Sequence, residues 1–334
     1  PIPKLTAPIS VIQTTGKTNG NESNQLSIGM KLADNLESGS YQNKLILSFV
    51  SNPYQMRAMM TNGLDFNTKL KALETETNKI EHFKKSTVAP TASMNTINIE
   101  DEGSDYEIKL WLDSTDNTAY YYTETEKVYL NTDSSNMFHY LPDLSSLDLS
   151  SFDTSQVTDM RYMFSELSSL ADLNLSNFNT QKVEDMSNMF NGCYGITSLD
   201  VSNLNTSRVE NMSGMFSDMS SLAELDISGL NTSSVTNMSG MFNNLSGLTE
   251  LDVTHFDTSK VIDMSNMFNG LSEVNELNLS NFDTHNVVNM SNMFGGMAKI
   301  TELNLNNFNT SKVENMSGMF QGVGEVTSLD LSHF

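Results

Sequence analysis

Apolar residues recur along the second half of the chain in one pattern that returns every 26 residues. The dipeptide Met-Phe marks this pattern, and no insertion or deletion shifts its spacing. Its copies are Met137-Phe138, Met163-Phe164, Met189-Phe190, Met215-Phe216, Met241-Phe242, Met267-Phe268, Met293-Phe294 and Met319-Phe320. A fixed period of this length indicates small units that stack, each touching only its neighbours. Such a stack suits the binding of a partner better than the assembly of one catalytic pocket.

Each repeat opens with a leucine-rich segment. In the unit 144–169 this segment reads Leu144-x-x-Leu147-x-Leu149-x-x-Phe152. The alternation around Leu147 and Leu149 predicts a short strand with both leucines facing inward. The segment resembles that of leucine-rich repeats, with Phe or Leu where those repeats usually place Asn. Strands of successive units would stack in parallel at about 4.8 Å.

The second half of each repeat predicts a short helix. Its apolar residues in the same unit, Val157, Met160, Met163, Phe164 and Leu167, fall at spacings of three and four and form one apolar stripe. The connecting Asp-Thr-Ser or Asn-Thr-Ser segments, such as 153–155 and 205–207, predict turns in which the side chains bond their own backbone and cap the following helix.

The recurring sulfur-containing and aromatic residues are interpreted as core. Residues 137–334 hold 17 of the 22 methionines, and they recur at positions where a flexible side chain fills gaps between stacked turns. The recurring phenylalanines predict an internal stacked column. Cys193 is the one cysteine and falls at a core position of its repeat, so it predicts a buried spacer and no intrachain disulfide.

These patterns predict an α/β solenoid: a leucine-rich-repeat array with one short parallel strand and one short helix per turn. A small α+β capping region and a β-rich N-terminal segment would precede it. The expected division is 1–52, similar to the end of a surface-protein β-sandwich; 53–100, mixed helix and strand with a linker; 101–136, the N-terminal cap; and 137–334, the array, with an uncapped C-terminus. Local patterns predict a helix at 66–74, a strand at 80–83 and a hairpin at 106–123.

The run LSxFDTSxVxxMxxMF, present at Leu149–Phe164 and Leu279–Phe294, resembles the repeat of bacterial BspA-like leucine-rich-repeat surface proteins. The stretch from Ser104 to Phe138 is similar to the segment that precedes those repeats. The resemblance covers residues 101–334 and implies a surface adhesin or interaction module. It carries no catalytic residues to this chain.

Charge separates the array from the rest of the chain. Residues 1–136 carry 17 acidic and 12 basic residues, whereas residues 137–334 carry 24 acidic and 6 basic residues, so most of the net charge of -23 lies on the array. Such a surface repels phosphate backbones and anionic lipids, which argues against nucleic acid and membrane partners. Cationic proteins, amino sugars or divalent metals fit better.

The candidate site follows from strand alternation, because residues flanking the inward leucines should face outward. The acidic ones are predicted to bind a partner: Asp172, Asp200, Glu224, Asp226, Glu250, Asp252, Glu276 and Glu302. Three readings of this face remain open. It is a solvated polar surface, a docking face for a basic or polar partner, or a weak Ca²⁺ ladder without an ion-binding loop motif.

The sequence contains no GxGxxG, P-loop, HExxH or CxxC motif, so we expect no enzyme and no cofactor beyond weak Ca²⁺ binding. The expected function is a non-enzymatic, extracellular cell-surface or secreted adhesin that binds a protein of a host or neighbouring cell. The alternative is a structural subunit of a surface layer or filament that assembles end to end through its open C-terminal end.

Overall fold

A computed structural model describes residues 55–332 and 334 of this chain. Residues 57–334 belong to one compact unit. The β-rich segment expected at 1–52 lies outside the described residues. The regular elements are β1 (Ala58–Met59), α1 (Gly63–Lys71), β2 (His82–Lys85), β3 (Ile97–Asn98), β4 (Lys109–Asp113), β5 (Thr118–Tyr122), β6 (Val128–Tyr129), β7 (Ser146–Leu147) and β8 (Phe152–Asp153).

The strands form two sheets at the start of the stack. One has the order β1-β6-β8 and is parallel throughout. The other has the order β3-β4-β5-β2-β7, with antiparallel pairs at β3-β4 and β4-β5 and parallel pairs at β5-β2 and β2-β7. The expected hairpin is confirmed as β4 and β5. The expected helix and strand occur as α1 and β2, each displaced by a few residues.

Helix α1 and strand β2 cover the first repeat. The rings of Phe66 and Phe83 pack edge-on against Phe138, with centroids 5.4 and 5.1 Å away. Asn67 donates from Nδ2 to the carbonyl oxygens of Met137 and His139. A Cβ at Gly63 would lie 2.1 Å from the Ser135 carbonyl oxygen, so only glycine allows the helix to begin this close to the repeat.

The repeats stack as coils that keep the 26-residue register. Parallel bridges join Asp133 to Asp159, Asp159 to Asp185 and so on through Asn211, Asn237, Asp263, Asn289 and Asn315. In the Met-Phe segment, alternate backbone N–H groups donate to carbonyl oxygens 25 residues later, as Met160 does to Asp185 and Phe164 to Met189. This ladder lies along one edge of every coil and sets the spacing of the stack.

The predicted helix of each repeat is wrong. Among residues 55–332, α1 is the only helix, and the segments that contain Met-Phe are successive turns. Two residues per coil, four positions apart, have left-handed backbone, as at Tyr162 (φ 56°) and Glu166 (φ 60°). A right-handed helix cannot contain such residues. The apolar spacing of three and four arises instead from turns that return a side chain to the core.

The predicted strand of each repeat is also wrong for most coils. Among the described residues, β7 and the start of β8 are the only strands in the leucine-rich segments, both in the unit 144–169, and beyond them a single bridge joins Ser198 to Glu224. The segment is cut short because Asp148 and its equivalents accept a hydrogen bond from the backbone two residues later. The fold is therefore not an α/β solenoid with a strand and a helix per turn.

The predicted phenylalanine column is confirmed. Consecutive rings from Phe138 to Phe320 stack with centroids 5.8–6.0 Å apart and interplanar angles of 3–16°. The methionine before each ring is buried, and so is Cys193, as the sequence predicted. Burial raises the pKa of the Cys193 thiol to about 12, which keeps it protonated and unreactive.

A buried threonine joins each coil to the next. The Thr206 hydroxyl accepts from the backbone N–H of Asn231 at 2.8 Å and donates to its carbonyl oxygen at 2.9 Å. Thr154, Thr232, Thr258 and Thr284 make the same pair of bonds. The hydroxyl satisfies the backbone N–H and the carbonyl oxygen of one residue in the next coil. It thus takes the place of the backbone partner that a neighbouring strand would provide.

Candidate functional site

We call the eight predicted binding residues the acidic ribbon: Asp172, Asp200, Glu224, Asp226, Glu250, Asp252, Glu276 and Glu302. All eight are exposed to solvent. The leucines between them point into the core, as Leu173 and Leu199 do with 4% and 5% exposure. The alternation that was expected from a strand therefore holds without one, because the extended leucine-rich segment still turns successive side chains to opposite sides.

Three aspartates of the acidic ribbon also stabilise a turn of the backbone through their carboxylates. Asp200, Asp226 and Asp252 each accept, through Oδ1, the backbone N–H of the residue two positions later at 2.9–3.0 Å. Hydrogen bonds from the hydroxyl and the backbone N–H of that residue lower the pKa of each carboxyl. These groups therefore stay ionised at neutral pH, and the second oxygen of each makes no hydrogen bond within the described residues.

The carboxylates of the other five ribbon residues make no such hydrogen bond. Within residues 55–332, no hydrogen bond or ion pair involves the carboxylates of Asp172, Glu224, Glu250, Glu276 and Glu302. Five of the six basic residues of the array bond elsewhere, as Arg208 does to Glu184 at 3.3 Å and Lys299 to Glu273 at 2.5 Å. The ribbon is consequently a row of negative charge that forms no ion pair within the described residues.

The ribbon is interrupted by clefts between coils. One cleft of about 450 Å³ is lined by Glu276, Asn278, Glu302, Asn304 and neighbours, and a second of about 430 Å³ by Asp172, Asn174, Asp200, Asn203 and neighbours. The two occupy equivalent places four repeats apart. Across coils the leucine-rich segments pair only at isolated points, such as the Ser198–Glu224 bridge and the hydrogen bond from the Thr301 N–H to the Asn275 carbonyl oxygen, and this leaves most of their edges open on this side of the stack.

The geometry does not gather the carboxylates around one point. Among the described residues, no three histidine, cysteine, aspartate or glutamate side chains converge on a position that would hold a metal ion. The weak Ca²⁺ binding considered from the sequence stays a prediction. His255 lies near the ribbon, and its charge contributes to the lowered pKa of Asp226 and Asp252 after the hydrogen bonds named above.

A second row of carboxylates lies on the bridged edge. Asp133, Asp159 and Asp185 occupy consecutive positions of the parallel ladder, at a spacing of about 4.8 Å. Burial, aided by the charges of Asp185 and Asp133, raises the pKa of Asp159 in spite of the Arg161 guanidinium 2.9 Å away. Four of the five later coils have asparagine at this position and one has Asp263, and the same backbone hydrogen bond is kept, as at Asn211 and Asn237.

Asp159→Asn should therefore stabilise the protein at neutral pH, by less than about 1 kcal/mol. The folded-state pKa lies above the unfolded value of 3.8, so the folded state binds the proton more tightly and wild-type stability falls as pH rises through the folded pKa. The gain should vanish near pH 3.5, where the wild-type group is protonated. Urea unfolding at pH 7 and pH 3.5 measures this; an equal gain at both pH values contradicts it.

The sequence reasoning missed a group of residues with unusual backbone. The left-handed positions form two columns, one at 136, 162, 188, 214, 240, 266, 292 and 318, the other at 140, 166, 192, 218, 244, 270, 296 and 322. Every residue in them is Gly, Asn or Asp except Tyr140, Tyr162 and Glu166. The recurrence of Gly and Asn was the available signal, since these residues tolerate φ above zero.

The fold and its exposed ribbon define a repeat protein of stacked 26-residue coils with a structured cap at its first coil. A family model described as "Mycoplasma protein of unknown function, DUF285" matches residues 132–251 and 247–333. The matched ranges span more than half of the chain, so the protein belongs to this family. No curated protein and no solved structure matches it.

The family match begins at the first coil and leaves the cap outside. No helix among the described residues is long and apolar enough to cross a membrane.

Proposed function

We propose that this protein is a non-enzymatic interaction module, of the adhesin type and displayed on a cell surface or secreted, that binds a basic protein through the acidic ribbon. The single observation that supports this is the row of eight exposed carboxylates without ion-pair partners in the described chain. Like charges held in a row repel one another, and a cationic partner relieves that repulsion.

The chemistry of the ribbon favours a linear partner surface. Its carboxylates project at each coil along the stack, and the clefts between coils give room for side chains of up to the size of arginine. Arginine is the preferred partner because its planar guanidinium binds a carboxylate through two parallel hydrogen bonds. The surface location is supported by the resemblance of the repeats to BspA-like surface proteins.

Removing three ribbon charges should weaken binding of a peptide of alternating arginine and serine about tenfold at low salt, since each exposed pair contributes about 0.5 kcal/mol. The variant is Glu224→Gln, Asp226→Asn and Glu250→Gln. Asn keeps the turn at 226, as Asn174 does in its own coil. Fluorescence anisotropy measures Kd at several salt concentrations, and the wild-type affinity should fall as salt rises.

The matched control removes three charges away from the ribbon, with Glu184→Gln, Glu210→Gln and Glu314→Gln. These exposed glutamates share one column beside the bridged edge. The control should weaken binding less than twofold. An equal loss in the two triple variants would mean that the peptide responds only to net charge, and the ribbon would no longer be the site.

A further inference from the structure

The three exceptions in the left-handed columns all lie in the first two coils of the stack. Tyr140 and Tyr162 have φ of 56°, and Glu166 has φ of 60°. A side chain larger than Asn is strained in this region, because its Cβ comes too close to the following carbonyl oxygen. Thirteen other positions of the same two columns avoid the strain with Gly, Asn or Asp. Strain confined to one place is a common sign of function, because selection otherwise removes it.

Packing does not explain the two tyrosines. Tyr140 is 59% exposed and Tyr162 is 38% exposed, so neither fills the core. His139 joins them, with its ring centroid 6.1 Å from that of Tyr140 and 5.9 Å from that of Tyr162. Its Nδ1 lies 2.6 Å from the Ser165 hydroxyl, which fixes the imidazole between the two phenols. The result is an exposed aromatic surface of defined geometry.

One cation of the protein already contacts this aromatic surface. The Lys71 ammonium, from the last turn of α1, lies 5.4 Å from the centroid of the Tyr140 ring. A phenol face attracts cations through its quadrupole, and arginine uses this contact more often than lysine. The Tyr162 ring has no such cation within the described residues.

Glu166 adds an uncompensated negative charge. Its carboxylate lies over the backbone of Gly192 in the next coil, where an added Cβ would come within 2.8–2.9 Å of it. Within residues 55–332 it forms no ion pair and no side-chain hydrogen bond. Burial and then the charges of Glu166 and Asp218 raise the pKa of the neighbouring Tyr194, which is 43% exposed. The Glu166 carboxylate therefore contributes to the negative potential at a third exposed ring.

We propose that Tyr140, Tyr162 and Glu166, with His139 between the rings, form a second contact point that binds an arginine-bearing segment of the basic protein partner. This rests on the proposed function, because it assumes the same partner. Tyr140 and Glu166 hold the same position of consecutive coils, so an arginine can meet both a ring face and a bidentate acceptor there. Tyrosine loses little conformational entropy on binding and is enriched among residues that dominate interfaces.

The test uses Tyr140→Asn and Tyr162→Asn together, in the full chain and with the same arginine-serine peptide. This variant leaves the net charge unchanged, so attraction by charge alone is retained. The affinity should fall at least fivefold. The melting temperature should rise by about 2–4 °C or more, because Asn tolerates the left-handed backbone that tyrosine does not. Glu166→Gln should also weaken binding, whereas Asn244→Gly and Asn266→Gly, in the same columns of later coils, should leave it unchanged.

The outcomes separate this inference from the proposed function. If the tyrosine variant binds within twofold of wild type while the ribbon variant is weakened, the inference fails and the proposed function stands. If the tyrosine variant is weakened and the ribbon variant is not, the contact point stands and the ribbon is not the site. A lower melting temperature in the tyrosine variant, at any affinity, would assign the tyrosines a structural role and overturn the inference. Stronger binding to a neutral dextran than to the peptide would overturn it in favour of a glycan.

Discussion

Phe216→Ala should lower the free energy of unfolding by about 3–5 kcal/mol, the cost of removing a buried phenylalanine ring. Phe216 is fully buried, and its ring stacks on Phe190 and Phe242 with centroids 5.8 and 6.0 Å away. Alanine would leave a cavity in the middle of the column, where the neighbouring coils cannot collapse because the bridged edge holds their spacing. Urea unfolding followed by circular dichroism measures the loss.

The shape of the transition is a second readout of this variant. Each coil contacts only its neighbours, so weakening one interface in the middle of a stack can uncouple the two halves. We expect the single transition of the wild type to become broader or to split in two. Phe216→Leu fills most of the cavity and should cost about half as much. A loss below about 1 kcal/mol for Phe216→Ala would contradict a continuous stacked core.

The double variant Gly240→Ala and Gly296→Ala should destabilise the protein by about 2–4 kcal/mol, with the two effects adding because the sites lie two coils apart. Both glycines have left-handed backbone, with φ of 61° and 69°. A Cβ at either position would meet other atoms no closer than 3.4 Å. The loss therefore reports backbone conformation, not steric collision.

This variant distinguishes the observed turns from the helix that the sequence suggested. In a helix, replacing glycine by alanine would stabilise by about 1 kcal/mol per site. The sign of the change in the urea midpoint therefore decides between the two structures. The control is Gly240→Asn and Gly296→Asn, which should be close to neutral because the array itself uses Asn in these columns, at Asn266 and Asn244. Stabilisation by alanine would mean that the Met-Phe segments are helical.

The sequence predicted the core of the array more accurately than its backbone. The Met-Phe positions, the stacked rings and the buried Cys193 were predicted correctly, because burial depends on which residues are apolar and how often they recur. The turns at Asp153 and its equivalents were also correct, and the Asp153 carboxylate accepts the Ser155 N–H at 3.0 Å. The helix cap expected there was wrong, because no helix follows.

The helix prediction failed for an identifiable reason. Val157, Met160, Met163, Phe164 and Leu167 have helical spacing, but spacing alone does not separate a helix from a series of turns that returns to the core at the same intervals. The positions equivalent to 162 and 166 distinguish a helix from a series of turns, since Gly and Asn are frequent at these positions along the array. These residues disfavour a helix interior and favour left-handed backbone. The Gly and Asn columns therefore indicate turns more directly than the apolar stripe indicates a helix.

The acidic ribbon was partly predictable. The exposure of Glu224 and Asp226 followed from alternation about the inward leucines, and the structure places them as expected. The use of Asp226 as a turn-forming residue was not anticipated, although the same column holds Asn in other coils, which matches a hydrogen-bonding task better than a charge. The clefts between coils depend on unpaired backbone edges, which no side-chain pattern records.

The sequence by itself determined the period, the apolar interior and the sign of the surface charge, because each follows from the identity and spacing of side chains. Only the tertiary structure decided which edge of the coil carries the ladder, where the backbone becomes left-handed and which strained side chains come together. Those features arise from hydrogen bonds and ring contacts between residues about 25 or 26 positions apart, such as Thr206 with Asn231. The amino-acid sequence contains both residues of each such contact, but it does not give the distance or the orientation between them.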